Sequence, residues 1–383
     1  MKPNLSKKLI VMVSLLAIVA ASLALTQAAQ ANNPPVKIVV DADLGVDDAA
    51  AIAYLLSLPR RDVTLLGITN VAGNTTVENS ANNALLLLDT AQRTDIPVVV
   101  GAGQPLVLPA SRQGMFVHGP DGLWFTGFQF PHDLSGLSHD APGFLCSQAT
   151  THPGATLLAL GPLTNVANAI QQCPAEMGNY SQIIWSGGAK VVQGEGNTPV
   201  SVFNAWFDPD AAQVVLESGL TLTMVTTDAA REVTVNVNVT DRLARSPNPL
   251  GRLMAGPLSA YATAVNQFSD KTTITLWDQT ATVLALHPEY IEDQQSGLVL
   301  TLTADGPARG QTIIGLTLPE RIQMIAGDVE LSALADQAFS DPNFDLNAAI
   351  GAILFRQPDN ASVILGVDAG DVKNAWLRAL TRR

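Results

Sequence analysis

The chain has 383 residues, of which 47% are apolar, so it contains enough material for a large hydrophobic core. Its 34 acidic residues outnumber the 21 Lys and Arg residues, and the formal net charge is −13. This acidity argues against binding of nucleic acid through the phosphate backbone and against anionic membrane surfaces.

The N-terminus, residues 1–31, has the pattern of a secretory signal peptide. Three lysines precede the apolar segment Leu9–Leu25, and Ala29-Gln30-Ala31 fits a small-x-small cleavage site. An uncleaved anchor is the alternative, but this segment would span roughly 26 Å as a helix, less than a ~30 Å hydrocarbon core. We therefore expect cleavage after Ala31, which removes the three lysines and shifts the net charge from −13 to −16. The mature protein, residues 32–383, would be periplasmic or secreted, without stable membrane association.

Four carboxylates fall within the eight positions from Asp41 to Asp48. They follow the apolar run Lys37–Val40, which predicts a buried parallel strand, and precede a predicted helix, Ala49–Leu56. The acids would thus lie at a strand-to-helix turn, where open α/β sheets bind ligands. Carboxylates this close repel one another, and a bound hard cation would remove that repulsion. A cluster that offers only oxygen ligands suits calcium or magnesium. A solvated turn with Asp47 as the helix N-cap is the alternative, although a cap uses only one carboxylate.

Short apolar runs alternate with helical patterns along the rest of the chain. The predicted strands are Val63–Thr69, Pro97–Val100, Ala155–Leu160, Gln182–Ser186 and Thr221–Thr226, and the predicted helices are Val77–Thr90, Leu163–Gln171 and Pro209–Glu217. This order is typical of an α/β fold with a mostly parallel sheet covered by helices. Residues Gln104–Gly154, rich in Gly, Pro, His and Ser, predict long loops that could form substrate walls. The two cysteines, Cys146 and Cys173, can pair in an oxidising compartment.

The acidic segment resembles the N-terminal signature of the nucleoside hydrolases, which is usually written DxDxGxDDA. Further stretches follow in that family's order, namely Gly67–Asn74, Ile96–Ala102, His118–Leu123, Leu160–Asn165, Phe203–Ala212 and Trp277-Asp278. The resemblance runs from about Lys37 to Pro288 and implies a single domain with a Rossmann-like core. It also implies a nucleoside N-ribohydrolase that releases ribose and free base for salvage. A weakened nucleoside- or sugar-binding protein on the same fold is the alternative, and homo-oligomerisation is left open.

A metal site is part of what the resemblance implies. One calcium ion would be held by Asp43, Asp48, the backbone carbonyl of Thr164, and Asp278. Asp43 would also act as the general base that takes a proton from the attacking water. An ordinary helix N-cap at Thr164 is the alternative for that position.

The resemblance also implies a set of substrate contacts. Four polar residues would grip the sugar, and these are Asp47, Asn74, Asn197 and Asn204. Asn74 and Asn197 each follow a glycine, so both are also plausible as plain turn residues. Trp277 matches the purine-specific members, in which it would stack on the base, although a core tryptophan is the alternative. His118 would either touch the leaving base or order its loop.

Two positions depart from the family pattern. Trp277 is one of them, because the base-nonspecific members carry a histidine before the metal-binding aspartate. Val202 stands where a glutamate usually precedes the Phe-Asn pair, and the loop between Asn197 and Asn204 is one residue short. That glutamate normally contacts the outer end of the ribose. Val202 therefore puts in question which substrate the protein binds.

Overall fold

The computed structural model describes residues 34–126, 132–191, 194, 198–267 and 271–382. The predicted signal peptide and Asn197 lie outside the described residues. Among the residues that are described, no helix is both long and apolar enough to cross a bilayer.

A nine-stranded sheet forms the centre of the fold. The described residues form eleven strands, of which nine belong to this sheet. They are β1 (Val36–Ala42), β2 (Val63–Asn70), β3 (Val98–Val100), β4 (Thr156–Ala159), β5 (Gln182–Ser186), β6 (Leu222–Val225), β7 (Thr234–Asn236), β8 (Thr273–Thr275), β9 (Ile291–Thr301), β10 (Thr312–Gly315) and β11 (Ala361–Val367). Seven strands run parallel in the order β3-β2-β1-β4-β5-β6-β11, and β9 and β10 continue the sheet antiparallel. Strands β7 and β8 form a separate antiparallel pair. The predicted α/β fold with a mostly parallel sheet is confirmed.

Helices cover both faces of this sheet. They are α1 (Val46–Ser57), α2 (Val77–Thr90), α3 (Met115–His118), α4 (Ala141–Thr151), α5 (Thr164–Gln172), α6 (Pro174–Met177), α7 (Phe203–Phe207), α8 (Pro209–Glu217), α9 (Thr227–Ala230), α10 (Val239–Ala244), α11 (Pro249–Asn266), α12 (Trp277–Leu286), α13 (Leu318–Ile325), α14 (Asp328–Ser340), α15 (Leu346–Arg356) and α16 (Ala369–Thr381). The prediction of loops throughout Gln104–Gly154 is wrong where α3 and α4 form.

The central strand explains why the apolar runs are continuous. Ile38 and Val40 pack into the core on one face of the sheet, and Val39 packs into a second core on the other face. All three side chains are fully buried, because helices cover both faces.

The order of the strands determines where a ligand can bind. Strand β1 lies between β2 and β4, so the chain leaves β1 on one side and later returns on the other. This reversal is the topological switch point of a doubly wound sheet, and a crevice opens there beyond the carboxyl ends of the strands. Asp43 immediately follows β1 at this point.

The two cysteines form a disulfide. Cys146 lies in α4, Cys173 follows α5, and their Cα atoms are 6.2 Å apart. The bridge joins two helices packed on the same face of the sheet, as the sequence predicts for an oxidising compartment.

Candidate active site

Three carboxylates converge at the switch point. One oxygen atom from each of Asp47, Asp48 and Asp278 lies within 4.8 Å of the other two. Asp47 and Asp48 belong to the first turn of α1, and Asp278 to the first turn of α12. Gly45 is the N-cap of α1, so the alternative that Asp47 serves as the helix cap is wrong. Asp48 and Asp278 are 0% and 3% exposed, which leaves almost no solvent to screen their mutual repulsion.

Asn74 connects Asp43 to this cluster. Its backbone N–H donates to Asp43 Oδ2 over 2.6 Å, and its side-chain Nδ2 donates to Asp48 Oδ2 over 2.9 Å and to Asp43 Oδ1 over 3.4 Å. A Cβ atom at Gly73 would lie 2.0 Å from Asp43 Oδ2, and one at Gly161 would lie 2.8 Å from Oδ1. These glycines leave the space that the Asp43 carboxylate occupies.

The two carboxylate oxygens of Asp48 differ in their hydrogen bonding. Its Oδ2 accepts hydrogen bonds from the Gly45 backbone N–H over 3.0 Å and from Asn74. Its Oδ1 is buried and has no hydrogen-bond partner among the described residues. A buried carboxylate oxygen without a partner is costly, and a cation is the species that would complete its coordination. The residues therefore fit a hard metal ion.

Burial and mutual repulsion both disfavour the ionised acids. Burial is the main cause that raises the pKa of Asp43 to about 7, and the charge of Asp47 raises it further. The pKa of Asp48 is raised by burial and then by Asp43 and Asp278. Burial and the charge of Asp47 likewise raise the pKa of Asp278, against a hydrogen bond from Ser186 that lowers it. A bound cation would lower these pKa values again, because it favours the charged form of each carboxylate.

Thr164 and Asn165 open helix α5 beside the cluster. The Thr164 hydroxyl donates to Asp208 Oδ2 over 2.6 Å instead of accepting from a helix amide, and Leu163 is the N-cap residue. The alternative that Thr164 is an ordinary N-cap is therefore wrong. Asn165 Nδ2 donates to Asp41 Oδ1 over 2.7 Å, which anchors the same turn to the end of β1. Burial raises the pKa of Asp41 to about 6.

Asn204 and Ser186 hold neighbouring strand ends together. Asn204 Nδ2 donates to the carbonyls of Leu160 over 2.6 Å and of Ser186 over 2.9 Å. The Ser186 side chain in turn forms a hydrogen bond with Asp278. Sequence reasoning missed Ser186 and Asp208. The signal for Ser186 was its position at the carboxyl end of a correctly predicted strand, and Asp208 lay in a quoted motif without an assigned role.

His118 and Trp277 approach the cluster from two other segments. His118 Nδ1 accepts from the Val46 backbone N–H over 3.1 Å and lies 3.6 Å from Asp47 Oδ1. Burial lowers the pKa of His118, against the nearby charge of Asp47, which raises it. Because Nδ1 accepts the Val46 N–H, this nitrogen carries no proton in the structure. Its hydrogen bond to the start of α1 agrees with the interpretation that His118 orders its loop. Trp277 is half-buried and directly precedes Asp278 in α12.

A comparison with protein families identifies the family to which this fold belongs. Residues 38–374 match the model of the inosine-uridine preferring nucleoside hydrolases. The chain belongs to the nucleoside hydrolase family. This nucleoside hydrolase is an N-glycosyl hydrolase that cleaves the N-glycosidic bond of ribonucleosides. Members of the family use a metal ion, which agrees with the acidic cluster.

Relatives of known name cover most of this nucleoside hydrolase. Probable uridine nucleosidase 2 of Arabidopsis thaliana is 38% identical over 227 residues, which are 59% of this chain and 69% of the relative. The non-specific ribonucleoside hydrolase RihC of Salmonella paratyphi B is 33% identical over 73% of this chain and 87% of its own length. The solved plant nucleoside hydrolase PpNRh1 superposes with a TM-score of 0.75 at 28% identity, over 91% of this chain and 100% of its own.

Proposed function

We propose that this nucleoside hydrolase is an exported, calcium-dependent enzyme that prefers purine ribonucleosides. Export is supported by the signal-peptide pattern of residues 1–31. The purine preference is supported by Trp277. The observation that carries the metal dependence is the buried Oδ1 of Asp48, which lies within a cluster of acids and has no hydrogen-bond partner among the residues that the structure describes.

The donor atoms suit calcium. Asp43, Asp48, the backbone carbonyl of Thr164 and Asp278 would hold the ion, and all of them offer oxygen ligands. Calcium accepts six to eight oxygen atoms, so water and sugar hydroxyls can complete its coordination. When bound, the ion supplies a positive charge that orients the sugar hydroxyls and makes the attacking water more acidic.

The side chains perform the remaining steps. Asp43 takes the proton of the attacking water, and the Asn74 backbone N–H holds its carboxylate in place over 2.6 Å. Cleavage of the N-glycosidic bond builds positive charge on the ribosyl ring, as in other glycosidic cleavages. The neighbouring carboxylates stabilise that charge, because they are already fixed in a site with little solvent. Asp47, Asn74, Asn197 and Asn204 would bind the sugar hydroxyls.

The leaving base would meet Trp277. The relatives are named for uridine and for ribonucleosides in general, so their names do not select a purine. An indole face gives a two-ring purine more stacking area than a one-ring pyrimidine, and this favours purine binding. Trp277 is half-buried and directly precedes Asp278 at the start of α12.

Hydrolysis assays with the mature protein, residues 32–383, test calcium dependence. Inosine should yield reducing sugar in calcium buffer, no sugar after exhaustive chelation, and sugar again when calcium is restored. Asp48→Asn should abolish turnover, whereas Asp336→Asn on the exposed helix α14 should not change it. Full activity in chelated protein, with metal content measured on the same sample, would exclude the metal requirement.

Competition between inosine and uridine tests the substrate class. A higher kcat/KM for inosine supports the purine assignment, and a higher value for uridine overturns it. Binding of either nucleoside without release of reducing sugar would instead favour the weakened binding protein that Val202 raises as an alternative.

A further inference from the structure

Asp208 is a fully buried carboxylate that joins three separate segments of the chain. Its Oδ1 accepts from the Ala211 backbone N–H over 3.0 Å and thereby caps α8. Its Oδ2 accepts from the Thr164 hydroxyl over 2.6 Å and from the Leu106 backbone N–H over 2.9 Å. Each oxygen atom of this carboxylate therefore has a distinct set of donors.

Capping alone does not explain a carboxylate at this position. A serine, threonine or asparagine caps a helix about as well, and none of them carries the desolvation cost of a buried charge. That cost is present here, because burial raises the pKa of Asp208. The second oxygen faces Thr164, whose helix α5 has no side-chain cap of its own. Beyond the cap, this carboxylate accepts from the Leu106 N–H and from the Thr164 hydroxyl, and of these two partners Thr164 is the one in the proposed metal site.

We propose that Asp208 is a positioning residue for the metal site, which acts through the orientation of Thr164. This inference rests on the proposed function, in which the Thr164 carbonyl is a calcium ligand. The hydroxyl and the carbonyl belong to one residue, so a short hydrogen bond to a charged acceptor restricts the rotation of both. A second hydrogen bond, from Asn165 Nδ2 to Asp41 Oδ1, also restrains this turn. Residues that orient metal ligands in this way typically change metal affinity ~10–100-fold when they are removed.

A matched pair of variants at Thr164 isolates the hydroxyl. Thr164→Val removes the donor and keeps the backbone carbonyl and the side-chain shape, whereas Thr164→Ser keeps the donor. Titration calorimetry with calcium chloride alone should show ~10–100-fold weaker binding for Thr164→Val and near wild-type binding for Thr164→Ser. Asp208→Asn should weaken binding by a similar factor. The control is Asp336→Asn on the exposed helix α14, which makes the same change of residue type and should leave calcium affinity unchanged.

A double-variant cycle tests whether the two residues act together. If Asp208 acts through Thr164, the double variant Thr164→Val/Asp208→Asn should have a calcium affinity no lower than that of the single variant with the lower affinity. If the fold-losses of calcium affinity in the two single variants multiply in the double variant, the two residues act independently and the proposal is overturned.

Melting of the metal-free variants separates positioning from a structural role. A merely structural Asp208 would lower the melting temperature of the metal-free protein and leave the calcium affinity of the folded variants unchanged. That outcome would overturn the proposal while the proposed function stands. If the wild-type protein itself binds no calcium, the proposed function fails, and this inference fails with it. Wild-type binding together with unchanged binding by Thr164→Val refutes the positioning role alone.

Discussion

Asp43→Asn should stabilise the metal-free protein, although it removes the proposed general base. The Asp43 carboxylate is fully buried and lies near the charge of Asp47. Asparagine has nearly the same shape and no charge, so it relieves the desolvation and the repulsion that the ionised acid suffers. The same change removes a calcium ligand. The variant should therefore be more stable than wild type without calcium and less stable with it.

The size of this effect follows from the pKa of Asp43. The shift from 3.8 to about 7 is about three pKa units, and at ~1.36 kcal/mol per unit it corresponds to ~4 kcal/mol above pH 7. Asparagine offers only one acceptor oxygen to the two Asn74 donors, and an unmade buried hydrogen bond costs ~1–3 kcal/mol. The net stabilisation of the metal-free protein at pH 8 is therefore ~1–3 kcal/mol.

The sign of the pH dependence follows from the same shift. The folded-state pKa of Asp43 is raised, so the unfolded chain releases this proton at a lower pH than the folded chain. The folded wild type is then penalised increasingly as the pH rises from about 4 to about 7, and constantly above that. At pH 5 the penalty is only ~2 kcal/mol, which the lost hydrogen bond of the variant offsets. The advantage of Asp43→Asn should therefore almost vanish at pH 5.

Thermal unfolding in chelator and in calcium measures both effects. For the roughly 350 residues after the signal peptide, an unfolding entropy of ~2.1 cal/mol/K per residue converts 2 kcal/mol into a Tm shift of ~3 °C. Calcium at 100 times its Kd should add ~2.7 kcal/mol to wild type and much less to the variant, which reverses their order. The control, Asp336→Asn, should change neither the Tm in chelator nor the stabilisation by calcium. A lower Tm for Asp43→Asn in chelator at pH 8, or an equal gap at pH 5, would refute the reasoning.

Three further outcomes are expected. Replacing both Cys146 and Cys173 by serine should cost ~3.5 kcal/mol in urea unfolding, since the bridge closes a loop of 27 residues; an unchanged midpoint would contradict this. Trp277→Ala should weaken inosine binding by ~1–3 kcal/mol and uridine binding less, as measured by the Kd of each nucleoside; equal losses would contradict stacking on a purine. The exported protein should begin at Asn32 in intact mass spectrometry, and a product that retains Met1 would exclude cleavage.

The strands were predictable because burial on both faces leaves a simple pattern. A continuous apolar run such as Lys37–Val40 needs no knowledge of distant contacts, and helices such as Val77–Thr90 matched their predicted bounds. The start of α1 was predicted too late, at Ala49. The helix begins at Val46, because the Asp48 side chain in its first turn accepts a hydrogen bond from the Gly45 backbone N–H. The carboxylates Asp47 and Asp48 thus belong to the helix and not to the turn before it.

Helix α4 shows how local signals can be outweighed by composition. Asp140 accepts from the Gly143 N–H as its N-cap, and Pro142 lies in its first turn, both of which are ordinary start signals. The surrounding Gly, Pro, His and Ser residues led to the prediction of a loop. The apolar side chain of Leu145, packed against the sheet, provides the tertiary contact that favours the helix.

The hydrogen-bond partners within the site could not be predicted from sequence. Thr164 and Asp208 are 44 positions apart, and Asn165 and Asp41 are 124 apart. Motifs identify which polar residues reach the switch point. They do not determine the rotamers that turn Asn74 towards two carboxylates and leave one oxygen of Asp48 without a partner in the described part of the chain.

Val202 offers the sharpest test of substrate identity. It is 9% exposed, forms the N-cap of α7, and lies two residues before Asn204. The family resemblance implies that a glutamate at this position would accept a hydrogen bond from the ribose 5′-hydroxyl, which the apolar side chain of valine cannot do. A 5′-hydroxyl that is buried without a partner costs ~1–3 kcal/mol, and a 5′-deoxy or 5′-alkylthio nucleoside avoids that cost. We therefore expect the enzyme to accept such nucleosides at least as well as their 5′-hydroxyl counterparts.

The measurement is kcat/KM for adenosine and for 5′-deoxyadenosine in three proteins. Wild type should favour 5′-deoxyadenosine or treat the two alike, and Val202→Glu should shift the ratio towards adenosine. Val202→Ile keeps an apolar side chain and should leave the ratio as it is in wild type, which separates polarity from side-chain size. If wild type prefers adenosine by about a hundredfold, a difference of ~2.7 kcal/mol, the 5′-hydroxyl has another partner in the site and the argument from Val202 is wrong.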